Sequence, residues 1–280
     1  MNKSPSSDPF HIVAIVQART ASSRLPNKVL LEIGGEPMLV QVIERVRKAQ
    51  TVDEVLVATT NDPSDDPILE LCARRGYACY RGSQYDVLDR YYQAARAAKA
   101  EVIVRITADC PLIDPEVIDK TVLAFLGASK PGEESLPYDF AANRLPPPWK
   151  RTYPIGLDTE VCSMQALKRA WQEARLAYQR EHVMPYLYDE EGRFRVLVVD
   201  HEVDYGAVRL TVDTPEDLAL MRAIYARFPG RTDFSWLEVL DLLRSEPALA
   251  TLNAAVQHKS LQDVDERAMR SKSDNRTTRR

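Results

Sequence analysis

Three cations stand within ten positions of one another, Arg19, Arg24 and Lys28, directly after an unbroken apolar run, Ile12-Val13-Ala14-Ile15-Val16. An arginine forks onto two phosphate oxygens and a lysine acts as a point charge, so this trio suits a polyanion. We read the loop as the grip on the triphosphate of a nucleotide; a solvated basic loop is the competing reading. The loop is not a P-loop, because it has no G-x-x-x-x-G-K-[ST] and no G-x-G-x-x-G, and Gly34-Gly35 comes too late. Phosphate binding here would rest on side-chain charge more than on a glycine cradle.

Two carboxylates complement those cations. Asp109 follows the apolar run 102–106 and Asp213 follows 209–212, each with a proline close behind (Pro111, Pro215). If both runs are strands of one sheet, both acids reach the edge where the cationic loop lies. Hard oxygen donors facing phosphates suit Mg²⁺, which takes one or two carboxylates plus phosphate oxygens and keeps several waters. Taken alone, Asp213 reads better as a helix N-terminal acid in Asp213-Thr214-Pro215-Glu216-Asp217, and Asp109 equally as a turn residue before Cys110-Pro111. Beside the basic loop, the metal reading is favoured. The ion would bridge phosphates, neutralise developing charge and orient an attacking oxygen.

Elements able to position these residues are legible in the periodicity. Strands are expected at about 11–17, 53–59, 78–81 and 102–106, and helices at about 38–49, 68–75, 85–99 and 114–126. The acids in 61–67 are read as helix caps. Strand–helix alternation with short connections predicts an α/β fold, a mainly parallel sheet with helices on both faces and ligands at the carboxyl ends of its strands. The alternation breaks at about 127. A polar loop over 127–137, strands at 138–143, 159–162, 193–199 and 209–212, and helices at 166–177 and 180–188 are expected, with 146–149 irregular. Thr214 at the N-cap, Pro215 after it and Asp217 at the third position open a helix to about 228, and a last helix covers 233–244. The whole reads as one domain over 10–257, with an insertion at about 137–207 serving as a substrate lid or homodimer contact. Residues 1–9 and 259–280 read as disordered tails.

The totals exclude several classes. A net charge of −4 argues against a general nucleic-acid binder, and a nucleic-acid role for the basic C-terminal tail is disfavoured. No apolar run approaches the ~18–20 residues that cross a membrane, and the polar N-terminus has no apolar signal core. Four scattered cysteines without C-x-x-C spacing fit free thiols in a reducing compartment, so a cytoplasmic protein is expected.

Taken jointly, the motifs carry a family resemblance over about residues 11–260. Ala18-Arg19-x-Ala21-Ser22-x-Arg24-Leu25-Pro26-x-Lys28 resembles the signature of the cytidylyltransferases that activate acidic sugars, the CMP-KDO and CMP-acylneuraminate synthetases. Thr107-Ala108-Asp109-Cys110-Pro111 and 212–218 resemble their second and closing motifs. Gly82-Ser83-x-x-Asp86-Val87-Leu88-Asp89-Arg90-Tyr91-Tyr92, Gly156-Leu157-Asp158-x-Glu160-Val161 and Arg180-Glu181-His182-Val183 are most similar to the SpsF-like branch, named for a spore coat polysaccharide biosynthesis protein.

The resemblance implies a three-layer, Rossmann-like nucleotide-diphosphosugar transferase fold. It also implies CMP transfer from CTP to a sugar hydroxyl with release of pyrophosphate. By position, Ala18, Arg19, Arg24 and Lys28 would bind the triphosphate, with Arg19, Lys28 and Asp109 catalytic. Asp109 and Asp213 would hold Mg²⁺, and Arg81, Ser83 and Thr107 would lie near the cytidine. Asp158, Glu160, Arg180 and His182 would face the acceptor, an acidic nonulosonate-like sugar or, alternatively, a phosphonate or sugar phosphate. Asn27 stands where a glycine is common, and Thr107 where related synthetases carry glutamine. A glycosyltransferase would show D-x-D where this chain has Thr107-Ala108-Asp109. A non-catalytic nucleotide-binding homologue is disfavoured by the intact cations and acids.

Overall fold

The computed structural model describes residues 10–127, 136–146 and 151–257. The expectations for residues 1–9, 259–280, most of the 127–137 loop and 147–149 lie outside the described residues.

The apolar run after His11 forms β1 (Ile12–Gln17), and its residues divide between two cores. Ile12, Ala14 and Val16 pack in one core, Val13 and Ile15 in the other. A strand covered on both faces needs apolar side chains in both directions, which is why its sequence shows no alternation. Strands β2 (Glu32–Ile33) and β3 (Glu36–Pro37) form a separate hairpin whose turn, Gly34-Gly35, has φ of 60° and 85°. Glycines supply those angles without strain.

The main sheet comprises β1, β4 (Glu54–Thr60), β5 (Ala78–Gly82), β6 (Val102–Thr107), β7 (Phe140–Ala142), β8 (Glu160–Ser163) and β9 (Val196–Val198). Its strand order is β5-β4-β1-β6-β8-β7-β9. β4 and β6 flank β1 in parallel register, and β8 is antiparallel to both β6 and β7. Helices α1 (Met38–Val46), α2 (Asp66–Arg75), α4 (Pro115–Leu126) and α8 (Pro215–Arg227) cover one face. Helices α3 (Val87–Ala97), α5 (Met164–Glu173) and α7 (Pro185–Tyr188) cover the other, with α6 (Ala177–His182) against α3. This is the expected three-layer α/β arrangement. Among the described residues no helix is long and apolar enough to cross a membrane.

Two expectations are corrected. Residues 209–212 are not a strand of the sheet. Both edges of β6 are already paired, with β1 and β8, so no ladder is left for them. The segment instead crosses the carboxyl end of β6: the Val212 N–H donates to the Asp109 carbonyl at 2.8 Å, and the Leu210 N–H to the Ile155 carbonyl at 2.7 Å. The helix expected over 180–188 is two short ones, broken at Val183, which has φ of 72° and precedes Pro185 by two positions. Proline lacks the N–H needed to continue a helix through it. The Thr214 capping box forms as the residue types imply: its hydroxyl accepts from the Asp217 N–H at 3.3 Å, and the Asp217 carboxylate accepts from the Thr214 N–H at 3.2 Å. α9 (Trp236–Ser245) opens on a second box, Ser235 with Glu238, and a short α10 (Pro247–Ala250) follows it.

Candidate active site

The cationic loop leaves the carboxyl end of β1 and is pinned at Thr20. The carboxylate of buried Asp65 accepts from the Thr20 N–H and hydroxyl, both at 2.7 Å. Of the acids between 61 and 67, Asp62 caps the local turn through the Ser64 N–H at 2.9 Å, while Asp65 anchors the loop. Asn27 sits in the left-handed region at φ 57°, which asparagine tolerates, and Lys28 follows on a single helical turn.

Lys28 is 8% exposed, and its three ammonium protons are all used. Nζ lies 2.9 Å from Asp109 Oδ2, 2.9 Å from Asp213 Oδ1 and 2.9 Å from the Val212 carbonyl. Burial alone would lower the pKa of this lysine, but the two carboxylates overrule it and hold it above the ordinary value. The other Asp213 oxygen takes Arg24 Nη2 at 2.8 Å and Arg209 Nη2 at 2.9 Å. Burial pushes the Asp213 carboxyl up, yet Lys28, Arg209 and Arg24 pull it well below the usual carboxylate range.

Behind Asp213 stands a buried network. Asp217, wholly buried, accepts from Arg209 Nε and Nη2 at 2.8 Å each, from the Asp213 N–H at 3.0 Å and from Asn253 Nδ2 at 2.9 Å. Burial opposes its ionisation, but Arg209 and Asn253 leave its pKa lowered. Arg209 is therefore locked between two acids and fixes the carboxylate of Asp213. Sequence reasoning gave Asp217 only a capping role and missed Arg209; a charged residue heading the apolar run Leu210-Thr211-Val212 was the available signal.

Carboxyls that ionise more readily folded than unfolded add stability that is complete above the unfolded pKa of about 3.9. It is lost as pH falls through the lower folded values. Melting temperature is therefore expected to hold steady between pH 7 and pH 5 and to decline below about pH 4, as scanning calorimetry across that range will read.

A cavity of about 350 Å³ opens over these groups, within the ordinary range for small-molecule sites. Of the residues named from the motifs and the resemblance, Arg19, Arg24, Lys28, Thr107, Asp109, Asp158, Glu160, His182 and Asp213 line it. Four expected residues do not. Ala18 is buried beneath the loop, its N–H bound to the Ala58 carbonyl at 3.2 Å. Arg81 holds the Thr60 and Asp62 carbonyls at 2.8 and 2.9 Å and Asp66 at 2.8 Å. The hydroxyl of Ser83 accepts from the Asp86 N–H at 3.0 Å, closing a turn. Arg180 clamps Asp86, with Nη2 at 2.6 Å, and donates to the Trp171 carbonyl at 2.7 Å, tying α6 to the start of α3. Each of these three polar side chains is consumed by local structure.

The far side of the cavity adds residues the sequence reading passed over: Gln17, Arg105, Arg144 and Tyr188. Arg105 points from β6 and pairs with Glu160 on β8. Burial would lower its pKa, but Glu160 holds it above the usual arginine value. A charge inside Val102-Ile103-Val104-Arg105-Ile106 was its signal. Asp158 receives Arg151 Nη2 at 3.0 Å and lies 4.0 Å from Arg144 Nε.

The donor chemistry fits a magnesium ion. Asp109, Asp213 and the Val212 carbonyl already converge on one cation, and all three are hard oxygens. Among the described residues no group of three or more His, Cys, Asp or Glu is placed to hold a metal ion by itself, so such an ion would need further oxygens from a substrate.

Comparison with known proteins decides the family. The cytidylyltransferase family profile matches residues 13–237. The chain belongs to the cytidylyltransferase family. It is 32% identical over 247 residues to the spore coat polysaccharide biosynthesis protein SpsF of Bacillus subtilis, covering 86% of this chain and 97% of that protein. It is 31% identical over 253 residues to a 3-deoxy-manno-octulosonate cytidylyltransferase of Anaeromyxobacter dehalogenans, covering 77% and 98%. A solved cytidylyltransferase from Leptospira borgpetersenii superposes with a TM-score of 0.80 at 30% identity, covering 89% of this chain and all of that one. The resemblance drawn from the motifs is thus borne out, and family members take CTP as substrate.

Proposed function

We propose that this cytidylyltransferase transfers CMP from CTP to a hydroxyl of an acidic, nonulosonate-like sugar, releasing pyrophosphate, in the assembly of a cell-surface polysaccharide. The observation that carries the reading is the meeting of Lys28, Arg24, Asp109 and Asp213 within hydrogen-bond distance in one cavity. Arg19, Arg24 and Lys28 bind the triphosphate, and Thr107 stands near the nucleoside. Asp109 and Asp213 would hold Mg²⁺, which would supply neutralisation of phosphate charge and a lower pKa for the acceptor hydroxyl.

The acceptor oxygen attacks the α-phosphorus in line. Its new bond to phosphorus forms as the bond to the bridging α–β oxygen breaks, and pyrophosphate leaves with the electron pair. The hydroxyl proton passes to solvent. Arg19 and Arg24 stabilise charge on the departing oxygens, so that positioning and electrostatics supply most of the rate. Arg105 and Arg144, with Asp158, Glu160 and His182, bind the acceptor: the arginines take its carboxylate and the acids its hydroxyls. Paired chains joined through the 140–200 region remain part of this reading.

The test is a matrix of Mg²⁺ with CTP, UTP, GTP or ATP against sugar acids, sugar phosphates and phosphonates, followed by pyrophosphate release. Turnover is expected with CTP and a sugar acid. Turnover with a phosphonate or a sugar phosphate in its place would move the acceptor class. Absence of both turnover and CTP binding would end the reading.

A further inference from the structure

We propose that Lys28 is the resident cation of the metal site, and that a divalent ion enters only after a nucleotide has drawn Lys28 away. The inference rests on the reading that this cavity takes CTP and a metal, and adds an order of binding to it.

The geometry is that of a filled cation site. Nζ is 2.9 Å from each of three oxygens on two separate segments, Asp109 Oδ2, Asp213 Oδ1 and the Val212 carbonyl. Those are the oxygens a magnesium ion would take, at the shorter distances of about 2.0–2.1 Å that it demands. An ammonium and a divalent ion cannot share them, because their centres would fall in nearly the same place and like charges repel strongly at such range.

Charge balance points the same way. Lys28, Arg24 and Arg209 face Asp109, Asp213 and Asp217, cation for carboxylate. The free protein therefore presents a divalent ion with no surplus negative charge. A triphosphate changes this. It is a stronger anion than a lone carboxylate, and it competes for Arg24 and Lys28, the loop cations that pair with Asp213. Arg209 cannot answer it, being bidentate to wholly buried Asp217. Lys28 can, because its flexible four-carbon stem arises from a single helical turn beside the cavity. Its departure uncovers two carboxylates and a carbonyl beside phosphate oxygens, the mixed donor set that magnesium favours. By linkage, nucleotide and metal each raise the affinity for the other.

The probe is Mn²⁺, followed by electron paramagnetic resonance on the full chain without nucleotide. Wild type is expected to bind Mn²⁺ at least about tenfold more weakly than Lys28→Met, with Asp109→Asn in the Lys28→Met background removing the gain; tenfold corresponds to about 1.4 kcal/mol. Lys28→Gln, which keeps a hydrogen-bond donor to the acids, carries the same expectation should the methionine variant not fold. Mn²⁺ binding by free wild type as tight as by the variants overturns the proposal. Calorimetry separates it from the underlying reading. CTP is expected to bind wild type in EDTA. CTP binding only with Mg²⁺ present overturns the order while the CTP reading stands; CTP binding in neither condition ends the CTP reading itself.

Discussion

Asp109→Asn is expected to reduce CTP-dependent pyrophosphate release by about 10²–10³-fold or more, the loss that follows removal of one preorganised electrostatic group. The substitution is isosteric, so the side chain still fits at the end of β6 and retains an oxygen facing Lys28 Nζ, now 2.9 Å from the carboxylate. On the proposed function, what disappears is one of the two negative charges that would hold a metal ion. The fold is expected to survive because the Asp109 side chain is 27% exposed and its backbone bond to the Val212 N–H is untouched. A continuous pyrophosphate assay and a thermal melt on the same sample read both halves. Turnover near the wild-type rate would sink the assignment of Asp109 as a metal ligand.

Asp217→Ala is expected to destabilise the folded protein by about 3–5 kcal/mol, the range for breaking a buried ion pair by removing one partner. Asp217 accepts from Arg209, Asn253 and two backbone N–H groups. Alanine would take the bidentate partner from Arg209, a buried residue, leave it Asp213, and unsatisfy the donors of Asn253 and the capping N–H groups. The melting temperature should fall by on the order of 10 °C for a chain of this size. Asp217→Asn, which keeps an acceptor for Asn253 and the capping N–H groups, should lose less. Because Arg209 also orients Asp213, activity measured well below the melting temperature should drop too. A variant that melts with wild type would show that the network contributes nothing to stability.

How much could be read in advance follows from the range of each interaction. Strands β1, β4 and β6 were legible because a strand buried on both faces must be largely apolar, a local signature. The Thr214 box was legible because its partners are three residues apart. The helix over 180–188 misled because its apolar spacing continues through Val183, whereas Pro185 and the local turn break it. Residues 209–212 misled because a short apolar run has the same composition whether or not a strand edge is available, and β6 has none to spare.

The same division runs through the site. Residue type and spacing alone gave a loop of three cations after a buried strand and two acids able to answer it, because charge and hydrogen-bonding capacity belong to the side chain wherever it lies. Only the tertiary structure decided which polar groups remain at the cavity. Arg81, Ser83 and Arg180 were as eligible as Arg19 until the fold set carbonyls, a turn N–H and Asp86 beside them. It also decided that Lys28, a lysine like any other in the chain, stands between Asp109 and Asp213 with its charge surrounded by oxygen. Residues 81 and 184 positions away come within 2.9 Å of its Nζ only once the strands are stacked, so no local pattern records that contact.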